Sequence, residues 1–353
     1  MTALTQVQAS AAASVASRYP RLRYMGSKYS LLPDLERVLL DLGGATVADP
    51  FSGSGVVSYL AHAMGWEVWS SDYLAFPCAL TRATVANRGA RLGEEDLAEL
   101  LGPNRDNRSF IHDTYAGILF TAEDLRTLDS AWSVLASWRG PRRDLAIASL
   151  ILAAARKQPR GVFTVTSSRY SIYDDGRRHL RMSMREHIRE AAADWNRAVC
   201  DDGAPARVRR APVDEAPRGA DVVYLDPPYA PPRDDNDYIK RYWFLEGLAD
   251  YWNDGRAQVM ESTITRKLPK RPTPFGSRRT IEGALEGMLE RFSDSSLVLS
   301  YGSNAIPGLD RLVGMVRDVK GNAEVRRINH RYHFGTARHA TRRQAVEYLI
   351  IGE

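Results

Sequence analysis

Short apolar runs alternate along this chain with amphipathic stretches, and the two patterns predict strands and helices respectively. The runs predicted as strands are residues 46–48, 66–70, 206–210, 222–225 and 297–301. Apolar residues recur at helical spacing over residues 31–42, 56–64 and 238–252. Because strands and helices follow one another in this way, the pattern predicts an α/β fold with a Rossmann-like sheet.

Residues 86–204 follow a different pattern and predict an inserted, mainly helical domain. Its predicted helices are 94–101, 122–138, 144–156 and 185–199. Before the last of these, short runs at 162–166 and 170–173 are followed by Asp174-Asp175-Gly176 and by residues 177–182. This arrangement predicts a β-hairpin with arginines on both arms. The insert therefore divides a domain made of residues 21–85 and 205–353.

Composition narrows the class of protein without identifying it. Of the 353 residues, 44% are hydrophobic and 26% are charged, as in soluble globular proteins. No apolar run is long enough to cross a membrane, and residues 1–20 predict a disordered tail without a signal peptide. Two cysteines, Cys78 and Cys200, argue against a disulfide scaffold and a structural zinc site, so we expect no metal and a cytoplasmic location. The net charge of +5 suits a polyanionic partner.

A glycine-rich turn, Asp49-Pro50-Phe51-Ser52-Gly53-Ser54-Gly55, follows the first predicted strand. Glycine in such a turn lets the backbone approach a ligand closely. Asp72 lies about 20 residues further on, the spacing of an acid that binds the ribose hydroxyls of an adenosyl cofactor. Asp49 would repel a pyrophosphate, but it suits the positively charged methionine end of S-adenosylmethionine. The turn therefore favours this cofactor over a nicotinamide dinucleotide.

The tetrapeptide Asp226-Pro227-Pro228-Tyr229 follows the apolar run at 222–225. Proline fixes φ and has no N–H, so this corner is rigid and rich in hydrogen-bond acceptors. A carboxylate and a backbone carbonyl can accept both hydrogens of a nucleobase amine, which makes its nitrogen more nucleophilic, while Tyr229 stacks on the ring. A base within a duplex must first be flipped out. The corner therefore predicts methylation of a nucleobase amine by positioning and electrostatics, without a metal.

Three blocks in this order resemble the D12 (alpha) class of DNA adenine-N6 methyltransferases, which includes the Dam-like enzymes. The blocks are Arg23-Tyr-Met-Gly-Ser-Lys28, Asp49-Pro-Phe-Ser-Gly-Ser-Gly55 and Tyr224-Leu-Asp-Pro-Pro-Tyr229. The resemblance spans about residues 21 to 305, with the insert placed where this class has its target-recognition domain. It implies site-specific transfer of a methyl group from S-adenosylmethionine to the N6 amine of a flipped-out adenine in double-stranded DNA.

The resemblance also implies roles for individual residues at matching positions of this sequence. Tyr24 stands where the family has an aromatic residue, often Trp, that contacts the cofactor, and Lys28 matches a lysine that also contacts it. Asp214 resembles an acid near the cofactor's adenine, although Glu215 replaces the Phe that follows it in the family. The residues expected to bind the cofactor are Tyr24, Lys28, Asp49, Phe51, Gly53, Gly55, Asp72, Asp214 and Asp226. Those expected to be catalytic are Asp226, Pro227, Pro228 and Tyr229.

Two basic segments are candidates for phosphate and base contacts. One lies in the insert and the other is the loop 262–279, which has six basic residues, three prolines and no acid. The candidates are Arg160, Arg169, Arg177, Arg178, Arg181, Lys267, Lys270 and Arg271. A cognate restriction endonuclease that acts separately is a further candidate partner. Methylation of cytosine N4 or of RNA adenine stays open as an alternative, and so does a DNA-binding protein of this fold that has lost catalysis.

Overall fold

The computed structural model describes residues 12, 14–159, 162–164, 166–174, 176–200, 204–230, 238–253, 258–331 and 344–353. Seven strands in this part of the chain form one sheet. They are β1 (Thr46–Asp49), β2 (Glu67–Asp72), β3 (Ala206–Arg210), β4 (Val222–Leu225), β5 (Ser296–Gly302), β6 (Glu324–Arg331) and β7 (Gln344–Gly352). The predicted Rossmann-like α/β sheet is therefore confirmed, and β6 and β7 extend it.

The strand order is β3-β2-β1-β4-β5-β7-β6. β1 to β5 are parallel, whereas β7 is antiparallel to both β5 and β6. The order reverses direction between β1 and β4, since β2 lies on one side of β1 and β4 lies on the other. In open α/β sheets, ligands bind beyond the carboxyl ends of the strands at such a switch point. This edge is where Asp49, Asp72 and Asp226 end or follow their strands.

The helices pack on both faces of the sheet. Those with described bounds are α1 (Leu32–Leu42), α2 (Val56–Ala63), α3 (Ala75–Thr84), α4 (Glu94–Leu100), α5 (Phe110–Tyr115), α6 (Ala122–Leu135), α7 (Gly140–Lys157), α8 (Met184–Ala198), α9 (Tyr238–Leu248), α10 (Ile281–Arg291) and α11 (Leu309–Lys320). Successive residues of a strand point to opposite faces. Val222 and Tyr224 accordingly join one buried cluster, and Val223 and Leu225 join another.

The first of these clusters is continuous with the core of the insert. It contains strand residues such as Val68 together with Leu150 of α7 and Trp195 of α8. α7 packs against α3, which flanks the sheet, and against α8. The helices of residues 86–204 therefore share a hydrophobic core with one face of the sheet. The bounds 86–204 for a recognition domain stay a prediction.

The predicted β-hairpin at 162–182 is wrong. The described residues of this segment form two short 3-10 helices, Ser167–Tyr173 and Arg178–Leu180. Their backbone bonds go to other elements: the N–H of Ser167 donates to the carbonyl oxygen of Ile118, and that of Phe163 donates to Arg241. Serine and threonine hydroxyls also bond locally, as between Thr166 and Ser168. Such local bonds compete with strand pairing.

The predicted tail of residues 1–20 is wrong for its last part. Residues 1–11 and 13 lie outside the described part of the chain. Ala16 and Tyr19 are buried in the core, and the Tyr19 hydroxyl donates to the carbonyl oxygen of Ser54 at 2.8 Å. Folded chain therefore begins before residue 20. Within the described residues, no helix combines the length and apolar character needed to cross a membrane.

Candidate active site

A cleft opens at the carboxyl ends of β1, β2 and β4. It brings together the three sequence blocks, which lie up to two hundred residues apart along the chain. Its lining residues are Tyr24, Met25, Gly26, Lys28, Asp49, Phe51, Ser52, Gly53, Ser54, Val56, Val57, Asp72, Tyr73, Tyr224, Asp226, Pro228 and Tyr238. The parallel strands that precede these residues explain why they meet at one edge of the sheet.

The glycine-rich turn carries the chain from β1 into α2 with two left-handed residues. Gly53 has φ of +49° and Gly55 has φ of +82°. A Cβ atom on Gly53 would lie 2.9 Å from Cε1 of Tyr24, and one on Gly55 would lie 2.5 Å from the Tyr19 hydroxyl. Glycine is therefore required at both positions by backbone conformation and by close packing.

Asp49 ends β1 and is buried at the base of the cleft. Its Oδ2 accepts a hydrogen bond of 2.6 Å from the Ser58 hydroxyl, whereas Oδ1 has no hydrogen-bond partner among the described residues. Burial raises the pKa of Asp49 to about 7, with the Ser58 bond acting in the opposite direction. An orphaned buried acceptor of this kind fits a ligand that brings a positive charge or an N–H donor.

Asp72 ends β2 and fastens the turn to the next strand. Its Oδ2 accepts from the backbone N–H of Gly53 at 3.0 Å, and its Oδ1 accepts from that of Leu74 at 2.9 Å. Burial raises the pKa of Asp72 to about 7, although both of these bonds favour the ionised form. Asp72 lines the cleft where the sequence places it, and its oxygens retain lone pairs for a ligand hydroxyl.

Tyr24 covers the turn from the other side of the cleft. Its ring stacks on Tyr242 with a centroid distance of 5.1 Å and an interplanar angle of 18°. Phe76 and Tyr238 pack against it at 6.0 and 5.5 Å. Since Tyr24 also contacts Gly53, the aromatic group predicted from the first sequence block lies directly over the predicted cofactor turn.

Asp226 follows β4 and is paired with Lys28. The Lys28 ammonium lies 2.8 Å from Oδ1 and 2.7 Å from Oδ2 of Asp226, and it also donates to the Gly26 carbonyl oxygen at 2.8 Å. Burial raises the pKa of Asp226, and Lys28 partly opposes that rise. Burial alone would lower the pKa of Lys28, but the acids beside it outweigh burial and the pKa is raised. Lys28 thus contacts the predicted catalytic acid as well as the cleft.

Tyr229 directs its hydroxyl inward. The hydroxyl lies 3.0 Å from Asp226 Oδ1, 3.1 Å from Lys28 Nζ and 2.5 Å from Glu347 Oε1. Its ring packs against Tyr301 with a centroid distance of 4.7 Å. The tetrapeptide is therefore an interlocked corner, in which the acid and the tyrosine hold each other.

Glu347 is a site residue that the sequence does not reveal. It lies on β7, is fully buried, and accepts from the Ser300 hydroxyl at 2.8 Å as well as from Tyr229. Its Oε1 is 3.5 Å from Lys28 Nζ. The available signal is a single acid in the apolar run 345–351, where an unpaired carboxylate would be costly.

A second, larger cleft adjoins the first and holds Asp214. Phe51, Tyr73 and Pro228 line both clefts. Asp214 and Glu215 lie in a 3-10 turn, Val213–Glu215, after β3, and both are exposed at this second cleft. Asp214 thus lines the same cleft as Phe51, whereas Asp49 and Asp72 line the first cleft. A ligand that binds in both clefts would pass Phe51.

The described basic candidates of the insert differ in exposure. Arg169, Arg178 and Arg181 are exposed, and the last two pair with Glu190 at 2.6 Å and Asp174 at 3.8 Å. Arg177 is half-buried and donates to the carbonyl oxygen of Pro159 at 2.5 Å. Arg160 lies outside the described residues.

The loop 262–279 divides into exposed and buried basic residues. Lys270 is exposed at the second cleft, and Lys267 is half-buried. Arg271 is different: its guanidinium lies 2.7 Å from the buried Glu246, and its role as a DNA contact stays a prediction. A charge that compensates a buried acid is held inside the fold.

The strand order, together with the corner Asp226-Pro227-Pro228-Tyr229 after β4, is that of a Rossmann-like methyltransferase. Residues 24–115 match the family model described as D12 class N6 adenine-specific DNA methyltransferase. The chain is also 28% identical over 252 residues to the Type II methyltransferase M2.HphI of Haemophilus parahaemolyticus, covering 67% of this chain and 72% of that protein. Both similarities confirm the predicted resemblance to the D12 class.

Proposed function

We propose that this protein is a site-specific DNA methyltransferase that transfers a methyl group from S-adenosylmethionine to the N6 amine of adenine. The observation that carries the proposal is the convergence of the Asp226 corner with the turn of Asp49 and Gly53 and with Asp72 on one cleft. Asp226, which can activate an amine, and Asp49, which suits a cationic methyl donor, thereby line the same cleft. The similarity to the D12 class supports the choice of adenine.

The residues of the cleft fit S-adenosylmethionine. The orphaned Oδ1 of Asp49 would accept from its ammonium group, Asp72 would accept from the ribose hydroxyls, and Tyr24 would cover it. Phe51 and Asp214 would lie toward its adenine in the second cleft. When bound, this cofactor supplies an electrophilic methyl group, and its sulfur keeps the electron pair of the broken S–C bond.

The chain's own contribution is to orient and activate the target amine. Asp226 and the Pro227 carbonyl would accept the two amine hydrogens, which localises the nitrogen lone pair for attack. Tyr229 would contact the face of the flipped base, at a cost of roughly a few kcal/mol for unstacking it. One proton leaves the amine as the N–C bond forms, and Asp226 can receive it because burial raises its pKa.

We further propose that the exposed arginines of the insert bind the DNA backbone. Arg169, Arg178 and Arg181 present guanidinium groups on the surface, and such groups pair well with phosphates. Their ion pairs with acids are solvent-exposed and therefore weak, so phosphate can replace the acids. A cognate restriction endonuclease that acts separately stays a predicted partner.

The test is methyl transfer from labelled S-adenosylmethionine to duplex DNA, followed by nucleoside analysis. We expect N6-methyladenine with the natural protein and at least about a thousandfold lower rate with Asp226→Ala. N4-methylcytosine, or preference for RNA, would establish the alternative acceptors. Cofactor binding without transfer to any nucleic acid would instead favour a protein that has lost catalysis. Sequencing of modified bases from a methylation-free host would then give the recognition site.

A further inference from the structure

One buried ammonium group lies between two acids at the proposed catalytic corner. Lys28 Nζ is 2.7 Å from Asp226 Oδ2 and 3.5 Å from Glu347 Oε1. The side chains of Lys28, Asp226 and Glu347 are 4%, 18% and 0% exposed. Water therefore contributes little to compensating these charges, and the three groups must compensate one another.

The ion pair with Lys28 occupies the atoms that the target amine needs. Lys28 bonds both carboxylate oxygens of Asp226, and the Tyr229 hydroxyl oxygen lies 3.0 Å from Oδ1. A base amine that donates to Asp226 competes with Lys28 for the lone pairs of the same two oxygens, and this weakens at least one Lys28 contact. An ammonium group removed from its partner in a buried site is strongly unfavourable unless a second acceptor is ready.

Glu347 is held where that second acceptor is required. Its Oε1 is fixed by the Ser300 and Tyr229 hydroxyls, and its strand is paired with β5 so that Glu347 faces Gly302. A Cβ atom on Gly302 would lie 3.2 Å from the Tyr229 ring and 3.6 Å from Glu347 Oε2, so glycine leaves room for this contact. A movement of about 0.5 Å would bring Lys28 Nζ, now 3.5 Å from Oε1, into hydrogen-bond range.

We propose that Glu347 is a positioning residue that takes over Lys28 when the target amine binds Asp226. Lys28 passes from one acid to the other, and the Asp226 carboxylate is released to the N–H donors of the base, so that neither the ammonium nor the carboxylate is left without a hydrogen-bond partner. This inference rests on the proposed function, because it assigns Asp226 to the amine. A purely structural role for Glu347, through its bond to Tyr229, is the competing explanation.

The two explanations differ in what the charge of Glu347 does. Glu347→Gln keeps an acceptor for Tyr229 and Ser300 and removes the carboxylate. We expect the single-turnover methylation rate at saturating DNA and cofactor to fall about tenfold or more, with cofactor affinity changed by less than about threefold. Glu347→Asp, which keeps the charge, should recover part of the rate.

The decisive measurement is a double-mutant cycle with Lys28→Met. If Glu347 acts by receiving Lys28, then Glu347→Gln should cost less than about threefold in the Lys28→Met protein. An undiminished cost in that background would overturn the inference in favour of a structural role. A natural rate in the Glu347→Gln single variant would overturn it as well.

Asp129→Asn serves as the matched control. Asp129 is also a buried acid, and it accepts from a tyrosine hydroxyl, that of Tyr251 at 2.6 Å, but in the helical insert. Its loss should lower the melting temperature and leave the saturated single-turnover rate unchanged.

Absence of methyl transfer by the natural protein would refute the proposed function, and this inference with it. Normal transfer combined with additive effects in the cycle would refute this inference alone.

Discussion

Asp49 combines a stability cost with a proposed binding role. Burial raises its pKa from 3.8 to about 7 in the folded protein. Between these values the folded protein holds a proton that the unfolded chain has lost, so stability decreases as pH rises through this range. Above pH 7 the decrease is complete, because Asp49 is then ionised in both states. A cationic ligand beside Oδ1 would reverse it.

Asp49→Asn should therefore stabilise the ligand-free protein at pH 8 by about 1–3 kcal/mol, because a neutral amide avoids the buried charge. Little gain is expected at pH 4, where Asp49 is protonated in the folded state. Affinity for S-adenosylmethionine should fall about tenfold or more. Urea unfolding at both pH values and calorimetric titration of the cofactor measure these effects. Unchanged cofactor affinity would contradict the role of Asp49.

Substitutions at Gly53 and Gly65 separate the effect of backbone strain from the effect of contact with Tyr24. Gly53→Ala places a methyl group 2.9 Å from the Tyr24 ring at φ of +49°, so both stability and cofactor affinity should decrease. Gly65→Ala is the control: its φ is +83°, with nothing within 4 Å of the new methyl group. It should cost about 1 kcal/mol and leave cofactor affinity unchanged. Equal affinities in the two variants would show that Tyr24 does not cover the cofactor.

At the scale of elements, Glu246 joins four segments. This α9 residue accepts from the backbone N–H groups of Ala75 and Phe76 at the start of α3. It also pairs with Arg210 at the end of β3 and with Arg271 of the loop 262–279. A negative charge at a helix N-terminus is favourable, and here two arginines compensate it.

Glu246→Gln should destabilise the fold by about 3–5 kcal/mol, because it leaves two arginines near a site that has lost its acid. Urea unfolding measures the change. Glu282→Gln offers a control on the surface, where Glu282 pairs with Arg311 and is 53% exposed; it should cost less than about 1 kcal/mol. Similar losses in the free energy of unfolding for both variants would mean that the Glu246 ion pairs stabilise the fold no more than a surface ion pair does.

Features that depend on contacts between residues close in sequence could be predicted from the sequence, and features that depend on distant contacts could not. The β1–turn–α2–β2 unit is specified by nearby residues, so Asp49, Gly53 and Asp72 lie where their spacing predicts. Glu347 is not revealed by the sequence, because its contact with Tyr229 joins residues 118 apart and depends on the pairing of β7 with β5. The hairpin was predicted wrongly from a local turn signal, Asp174-Asp175-Gly176. The segment instead forms backbone hydrogen bonds to distant residues, Ile118 and Arg241.

For the whole molecule, the continuous core has a consequence for folding. Leu145 to Ala155 of α7 are entirely buried between α3 and α8, so the insert depends on the sheet domain for much of its packing. We expect a single unfolding transition for the full protein, with fluorescence and circular dichroism coincident in urea. Residues 86–204 expressed alone should not fold cooperatively. Two separated transitions would show that the insert is an independent domain.

The packing of Tyr19 has a practical consequence for protein production. A shortened protein that starts at Arg21, where the family resemblance begins, would lack the hydroxyl that bonds the carbonyl oxygen of Ser54 in the glycine-rich turn. It would also lack a ring that packs on Tyr59 and Trp195, at centroid distances of 4.8 and 5.3 Å. Removal of residues 1–20 would thus take away packing that supports the turn, and inactivity of such a protein would be an artefact of its design.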